Sequence, residues 1–319
     1  MSTVYTGTAA ISGQTGPYNL VQTAYDKMVE FALRSEPVFR SFASKRPVDV
    51  DKPGSSIVLQ KYQDLAVSTT PLTENVDPDA VAISDTNTVT ITLNEYGRSV
   101  LSTEKLALES LSAIDPAIAN LVAYNMRNSL DALVGDVLVG GTNRICEANS
   151  VLSTSANINT VGTASTDTLK SKHVRYVTSK LRGNSAVTAD GGYYIGLVHP
   201  DASLDLRSET GAAAWRDPHN YSGATSIWNG EIGAYEGVRF IESPRLKQAT
   251  DGYSSAKVTR TVILGQQALA EAVSREPGVV IGNVTDRLMR TRPVGWKGML
   301  GWARYREEAL FRIETATTY

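Results

Sequence analysis

Apolar positions along the 319-residue chain change their period several times, and each change marks an element. Val21, Ala24, Met28 and Phe31 recur at helical spacing, which predicts a helix over residues 20–34 that Pro37 and Pro47 end. Residues 56–62 (Ser-Ile-Val-Leu-Gln-Lys-Tyr) and 88–93 (Thr-Val-Thr-Ile-Thr-Leu) carry strand signals, the second alternating as a half-buried strand does. The longest stripe joins Ile118, Leu121, Val122, Leu130, Leu133, Val134, Val137 and Leu138 at intervals of three and four. It predicts a helix over residues 116–139, N-capped by Asp115, opened by Pro116 and stopped by Gly140-Gly141. At 1.5 Å per residue that helix is roughly 36 Å long, the length of a spine.

From Leu169 onward helix and strand patterns alternate. Leu169, Val174, Val177 and Leu181 make a helix closed by Gly183-Asn184, followed by a buried strand over 193–198 and a short helix over 201–207. Strands follow over 238–241 and 258–264, a helix over 266–273, and a last alternating strand through Ala309, Phe311 and Ile313. This middle region reads as an α/β sub-domain within a chain of α+β class.

The stretch between the first two strands has Pro71 and Pro78 and no tight-turn motif. Connections longer than about 12–15 residues are usually functional or disordered. Its charge is one-sided: Asp64, Glu74, Asp77, Asp79, Asp85 and Glu95, with no Lys or Arg from 64 to 95. An acidic, protruding two-stranded arm has this character. Residues 1–19, rich in Thr, Ser, Gly and Ala, read as a flexible arm. Arg34, Arg40, Lys45 and Arg46 lie among Val38, Phe39 and Phe42; the group suits phosphate contact and an ordinary solvated face equally.

Composition narrows the classes. A hydrophobic content of 42% provides for a sizeable core, and the length for two sub-domains sharing it. The 31 basic and 33 acidic residues nearly cancel, which excludes gripping nucleic acid through the whole surface. The single Cys146 excludes a disulfide framework within one chain and fits a reducing cytosol. Residues 1–10 lack the pattern of a signal peptide, and no apolar run approaches the ~20 residues of a spanning helix, so a soluble cytoplasmic product is expected.

Catalytic constellations are not found. There is no Gly-rich phosphate loop and no Gly-x-Ser-x-Gly elbow, and three His with one Cys show no ligand spacing for zinc. His199-Pro200-Asp201 could suggest a general base, but a strand-ending His bonded to backbone is the better reading. His173 and His219 show no partner, and nothing pairs the carboxylates Glu231, Glu236 and Glu242 as a glycosidase requires. Trp215, Trp228, Trp296 and Trp302 are core or interface anchors. No catalytic residue, metal or cofactor is expected, and no enzyme.

The order of parts, together with local sequence, resembles the major capsid proteins of tailed bacteriophages, with the HK-97-type fold. The similar fragments are Leu72-Thr73-Glu74, Thr92-Leu93-Asn94-Glu95-Tyr96-Gly97, Val198-His199-Pro200, and Gly230-Glu231-Ile232-Gly233 leading into Gly237-Val238-Arg239-Phe240-Ile241-Glu242. The resemblance spans residues 18–302, and the order and spacing of these fragments make the case more than any one of them.

The resemblance implies an N-terminal arm and helix (1–50), an E-loop hairpin (51–102), a P-domain with the spine helix (103–168), an α/β A-domain (169–286) and a return to the P-domain (287–319). It implies a structural protein that self-assembles into hexamers and pentamers, forming an icosahedral shell around double-stranded phage DNA held non-specifically. Its place would be the virion capsid, assembled in the bacterial host cytoplasm, with a portal, decoration proteins and no membrane. With only a short arm before the first helix, a separate scaffold protein is implied; with no Lys between Lys61 and Lys105, a lysine crosslink from the loop tip is not expected. Glu74, Asp77 and Asp79 of the E-loop would meet basic partners of a neighbour among Arg287, Arg290, Arg292, Lys297, Arg304 and Arg306. Arg34, Arg40, Lys45 and Arg46 would face the lumen and its DNA. Three rivals stay open: an encapsulin-type compartment loading a cargo protein, an unrecognised hydrolase, and another virion component. Particle contents separate the first, a monomer with turnover marks the second, and the long helix speaks against a β-rich tail protein.

Overall fold

The computed structural model describes residues 36–318 except 48–54, 63, 73, 76, 78–79, 82–86, 110–113, 149–150, 155–157, 163–166, 210–230, 284–287 and 289. The expected arm over 1–19, the helix over 20–34, His219, Trp215 and Trp228 lie outside these residues, as do Arg34, Asp79, Asp85 and Arg287.

In chain order, a 3-10 turn at Phe39–Phe42 leads into β1 (Ser44–Pro47), β2 (Ser56–Lys61), β3 (Asn87–Thr92) and β4 (Asn94–Thr103). Helices α1 (Glu104–Glu109) and α2 (Ile114–Leu138) follow, then β5 (Arg144–Ala148), β6 (Val151–Ser153) and α3 (Ser171–Gly183). Next come β7 (Tyr194–Val198), α4 (Pro200–Ser208), β8 (Glu231–Tyr235), β9 (Val238–Glu242), β10 (Gln248–Ala249) and β11 (Val258–Leu264). The chain ends through β12 (Leu269–Ile281), β13 (Thr291–Arg304) and β14 (Leu310–Ala316).

The smaller sheet has the order β1-β12-β13-β4, the larger runs β6-β5-β14-β11-β7-β9-β8 with β10 beside β11, and β2 pairs only with β3. Helix α2 joins the two sheets. Val122 and Leu130 pack against Trp296 and Leu300 of β13, and further along the helix Val134 and Leu138 pack against Leu197, Val262, Leu264 and Leu310 of the larger sheet. On the opposite face of that sheet, Val174, Val177 and Leu181 of α3 and Ala202 and Leu206 of α4 meet Val198, Phe240, Ile263 and Ile313. Strand alternation produces this two-sided core: Ile195 and Leu197 face α2, whereas Tyr194 and Val198 face α3 and α4.

Several sequence expectations need correction. The spine helix starts at Ile114, so Asp115 and Pro116 lie inside its first turn, where a missing N–H leaves no helical bond unmade. The helix expected over 266–273 is instead the start of a strand. Gln267 turns the chain at φ 57°, and the next residues run extended between β1 and β13. Ala270 and Ala272, strong helix formers, are held in the strand because small side chains fit beneath Ile91 of the hairpin, so tertiary packing overrides propensity. The 14-residue β13 escapes a period-two reading because Gly295, Gly298 and Gly301 interrupt it. Those glycines admit close strands: a Cβ at Gly295 would stand 2.7 Å from the Arg98 carbonyl oxygen.

Within residues 287–319 the two strands join different sheets. β13 lies in the smaller sheet, but β14 lies inside the larger one, antiparallel to β11 and parallel to β5. Leu310, Phe311 and Ile313 are all buried, so both faces of β14 need covering, which only an interior position provides.

Candidate functional site

Between β2 and β3 lies the long connection read as an excursion. The two strands pair antiparallel from Ser56 opposite Thr92 to Lys61 opposite Asn87. Their root is fixed: Ile91 is buried against Ala270 and Ala272, and Lys61 Nζ lies 3.0 Å from Glu308 Oε2. Hydrogen bonding from backbone N–H and from Lys61 holds the Glu308 carboxyl below its ordinary range.

Beyond the root, every described residue from Tyr62 to Val81 is exposed. Val67 is 87% exposed and Leu72 79%, with Leu65 and Val81 little less. An isolated subunit gains nothing by holding these side chains in water; burying each contributes roughly 1.5–3 kcal/mol. Glu74 and Asp77 are exposed as well. Sequence reasoning registered the acids of this excursion and passed over its apolar residues, because they follow no period. Their signal was simply four large apolar residues in a stretch without structure.

The described cations expected to receive the acids lie at several positions along β13 and just after it. Arg290 and Arg292 are exposed at the start of β13, Lys297 is half-buried opposite Gly97, and Arg306 lies over the Tyr305 ring at 5.9 Å. Arg304 is committed within its own subunit. Its Nε donates to Glu307 at 2.7 Å and its Nη1 to the Val137 carbonyl at 3.0 Å. Arg312 donates likewise to the Val139 carbonyl. The last turn of α2 has no basic residue of its own, so two arginines from the tail satisfy the negative end of the spine helix.

The N-terminal cations are also engaged. Arg40 Nε donates to Glu271 at 2.6 Å and Nη2 to Glu276 at 3.1 Å; Lys45 lies 3.9 Å from Glu276, and Arg46 sits over Tyr305. Arg40, before β1, and Lys45, within it, reach carboxylates of β12. Next to them the Phe39 N–H donates to Asp131 of α2 at 2.7 Å, and Arg245 Nε donates to the other oxygen of the same carboxylate at 2.8 Å. One buried aspartate thereby ties the N-terminal segment, the spine helix and the loop after β9.

His199 ends β7 and caps α4, its Nδ1 accepting from the Asp201 N–H at 3.2 Å, the backbone role expected of it. Burial lowers its pKa, and Lys257, 2.6 Å from Asp201, lowers that of the aspartate. His173 has a partner that spacing did not reveal: its Nε2 meets the buried Glu147, which also receives Lys172 at 2.7 Å and Lys170 at 3.3 Å. Burial would raise the Glu147 pKa, but hydrogen bonds from His173 and Lys172 outweigh it and bring it down to about 2. A third buried carboxylate, Glu314, stands 2.8 Å from Arg312, 3.5 Å from Arg144 and 3.8 Å from Arg260. Glu147 links β5 to α3, and Glu314 links β14 with β5 and β11 within the larger sheet. Among the described residues no helix is long and apolar enough to cross a membrane.

The sequence pattern of the phage capsid protein family matches residues 44–316. No curated protein sequence matches the chain. Among solved structures, the chain is similar to the capsid of cyanophage Pam1 (TM-score 0.72, 13% identity, covering 97% of this chain and 100% of that one). It is similar to the capsid of Ralstonia phage GP4 (0.72, 14%, 97% and 98%) and to that of Helicobacter pylori bacteriophage KHP30 (0.70, 13%, 97% and 99%). At these identities the likeness is one of fold.

Proposed function

Since this chain belongs to the phage capsid protein family, we propose that it closes its shell by lending residues 62–86 to another copy of itself. It is a structural major capsid protein of HK-97-like fold, located in the virion capsid. One observation carries the proposal: the excursion is rooted on a packed hairpin base and then exposes Leu65, Val67, Leu72 and Val81, which no described residue covers. A second copy provides the cover.

In this reading the excursion lies across the neighbouring subunit, and copies arrange around five-fold and six-fold axes as pentamers and hexamers. Each acidic contact contributes only about 0–1 kcal/mol when exposed. Repeated around a ring, such contacts set register while remaining reversible enough to correct errors. The near-neutral chain encloses double-stranded DNA without gluing it to the wall. A portal completes the assembly, which takes place in the host cytoplasm.

Reversing Glu74, Asp77 and Asp79 to Lys is expected to leave soluble, folded subunits that form no shells in electron micrographs. Normal particles from that variant would overturn the role given to the excursion.

A further inference from the structure

Helix α3 presents a second one-sided charge distribution. Residues 168–189 hold Lys170, Lys172, Arg175, Lys180 and Arg182 and no Asp or Glu. Val174, Val177 and Leu181 are buried on the larger sheet, which turns Arg175, Lys180 and Arg182 outward, and all three are exposed. Arg175 and Arg182, seven residues apart, share one stripe about 10 Å long. Lys170 and Lys172 are occupied with Glu147. Among the described residues Arg175, Lys180 and Arg182 have no carboxylate partner; Lys180 stands over the Tyr176 ring at 5.4 Å.

The same chain carries the complement. Residues 62–97 hold six acids and no Lys or Arg. Extended, half of the excursion reaches up to about 40 Å from its root, enough to cross onto another subunit. Arg304, by contrast, is already spent on the spine helix. We propose that the outward face of α3, through Arg175, Lys180 and Arg182, is the landing surface for the acidic excursion of a second copy. This rests on the reading that the excursion is shared between copies, and names where it goes. A nucleic-acid backbone would also suit these cations, but it leaves the acids of the excursion unmatched, whereas a second copy matches both.

The test is a charge exchange in the full-length chain, under conditions where the wild type yields shells. Arg175→Glu, Lys180→Glu and Arg182→Glu together are expected to abolish shells while circular dichroism shows folded subunits. Adding Glu74→Lys and Asp77→Lys to that variant is expected to restore them. Loss without restoration overturns the proposal. So do normal shells from the α3 variant alone; if such shells hold less DNA, the face belongs to nucleic acid. When the α3 variant assembles but reversal of the excursion does not, only the landing surface is wrong; when both assemble, the sharing of the excursion falls with it.

Discussion

Distant parts of this chain meet at buried carboxylates paired with cations. Glu271 is 0% exposed and depends on Arg40, 231 positions earlier. Removing the cation leaves a buried charge unpaired, so Arg40→Ala is expected to cost about 3 kcal/mol in chemical denaturation of the subunit. Replacing both partners by apolar residues, as in Arg40→Met with Glu271→Leu, should recover most of that loss. Glu147 makes a pH-dependent contribution. Its pKa of about 2 lies below the ordinary 4.5, so the stability it contributes is complete above 4.5 and is lost as pH falls toward 2. Melting temperature followed across that window should fall less steeply in Glu147→Gln than in the wild type, and the variant should melt lower at neutral pH. Pairings of this kind were not legible in the sequence, since nothing local links His173 to Glu147. His199 was legible because its partner, the Asp201 N–H, is two residues away.

Elements were readable where one local rule decided them. The β2–β3 hairpin, the spine helix, α3, β7, α4, β9 and β11 all follow from periodicity with Gly, Asn or Pro at their ends. They failed where packing decided against local preference. β12 is made of residues that favour helices, and β13 of glycines that ordinarily weaken a strand. The glycines give a direct test. A Cβ at Gly301 would collide with the Thr92 carbonyl oxygen at the foot of the hairpin, whereas one at Gly278 would meet nothing within 4 Å. Gly301→Ala should therefore destabilise by about 1–3 kcal/mol through overpacking. Gly278→Ala should stay within about 0.5 kcal/mol. Thermal unfolding of the two variants decides.

For the whole molecule, the candidate site was legible as charge but not as cover. The sequence marked the acids of the excursion, while the described tail cations stand along β13 and just after it, Arg304 being turned to a helix end. Which cations remain open depends on the fold, and a sequence does not separate Lys172, held by Glu147, from the outward Arg175 on the same helix. An uncovered excursion should be the first place a protease cuts the free subunit, within residues 62–86, and that cleavage should disappear once particles form. Mass spectrometry of limited digests before and after assembly checks this.

The interior place of β14 also bears on timing. The strand that fills the middle of the larger sheet, Leu310–Ala316, comes after nearly all of the rest of this sequence. A growing polypeptide can display its acidic excursion on the ribosome, yet it has no finished platform to offer a neighbour until these few residues emerge. Where the outward face of α3 receives a neighbour's excursion as proposed above, that platform is complete only once β14 has taken its place in the larger sheet.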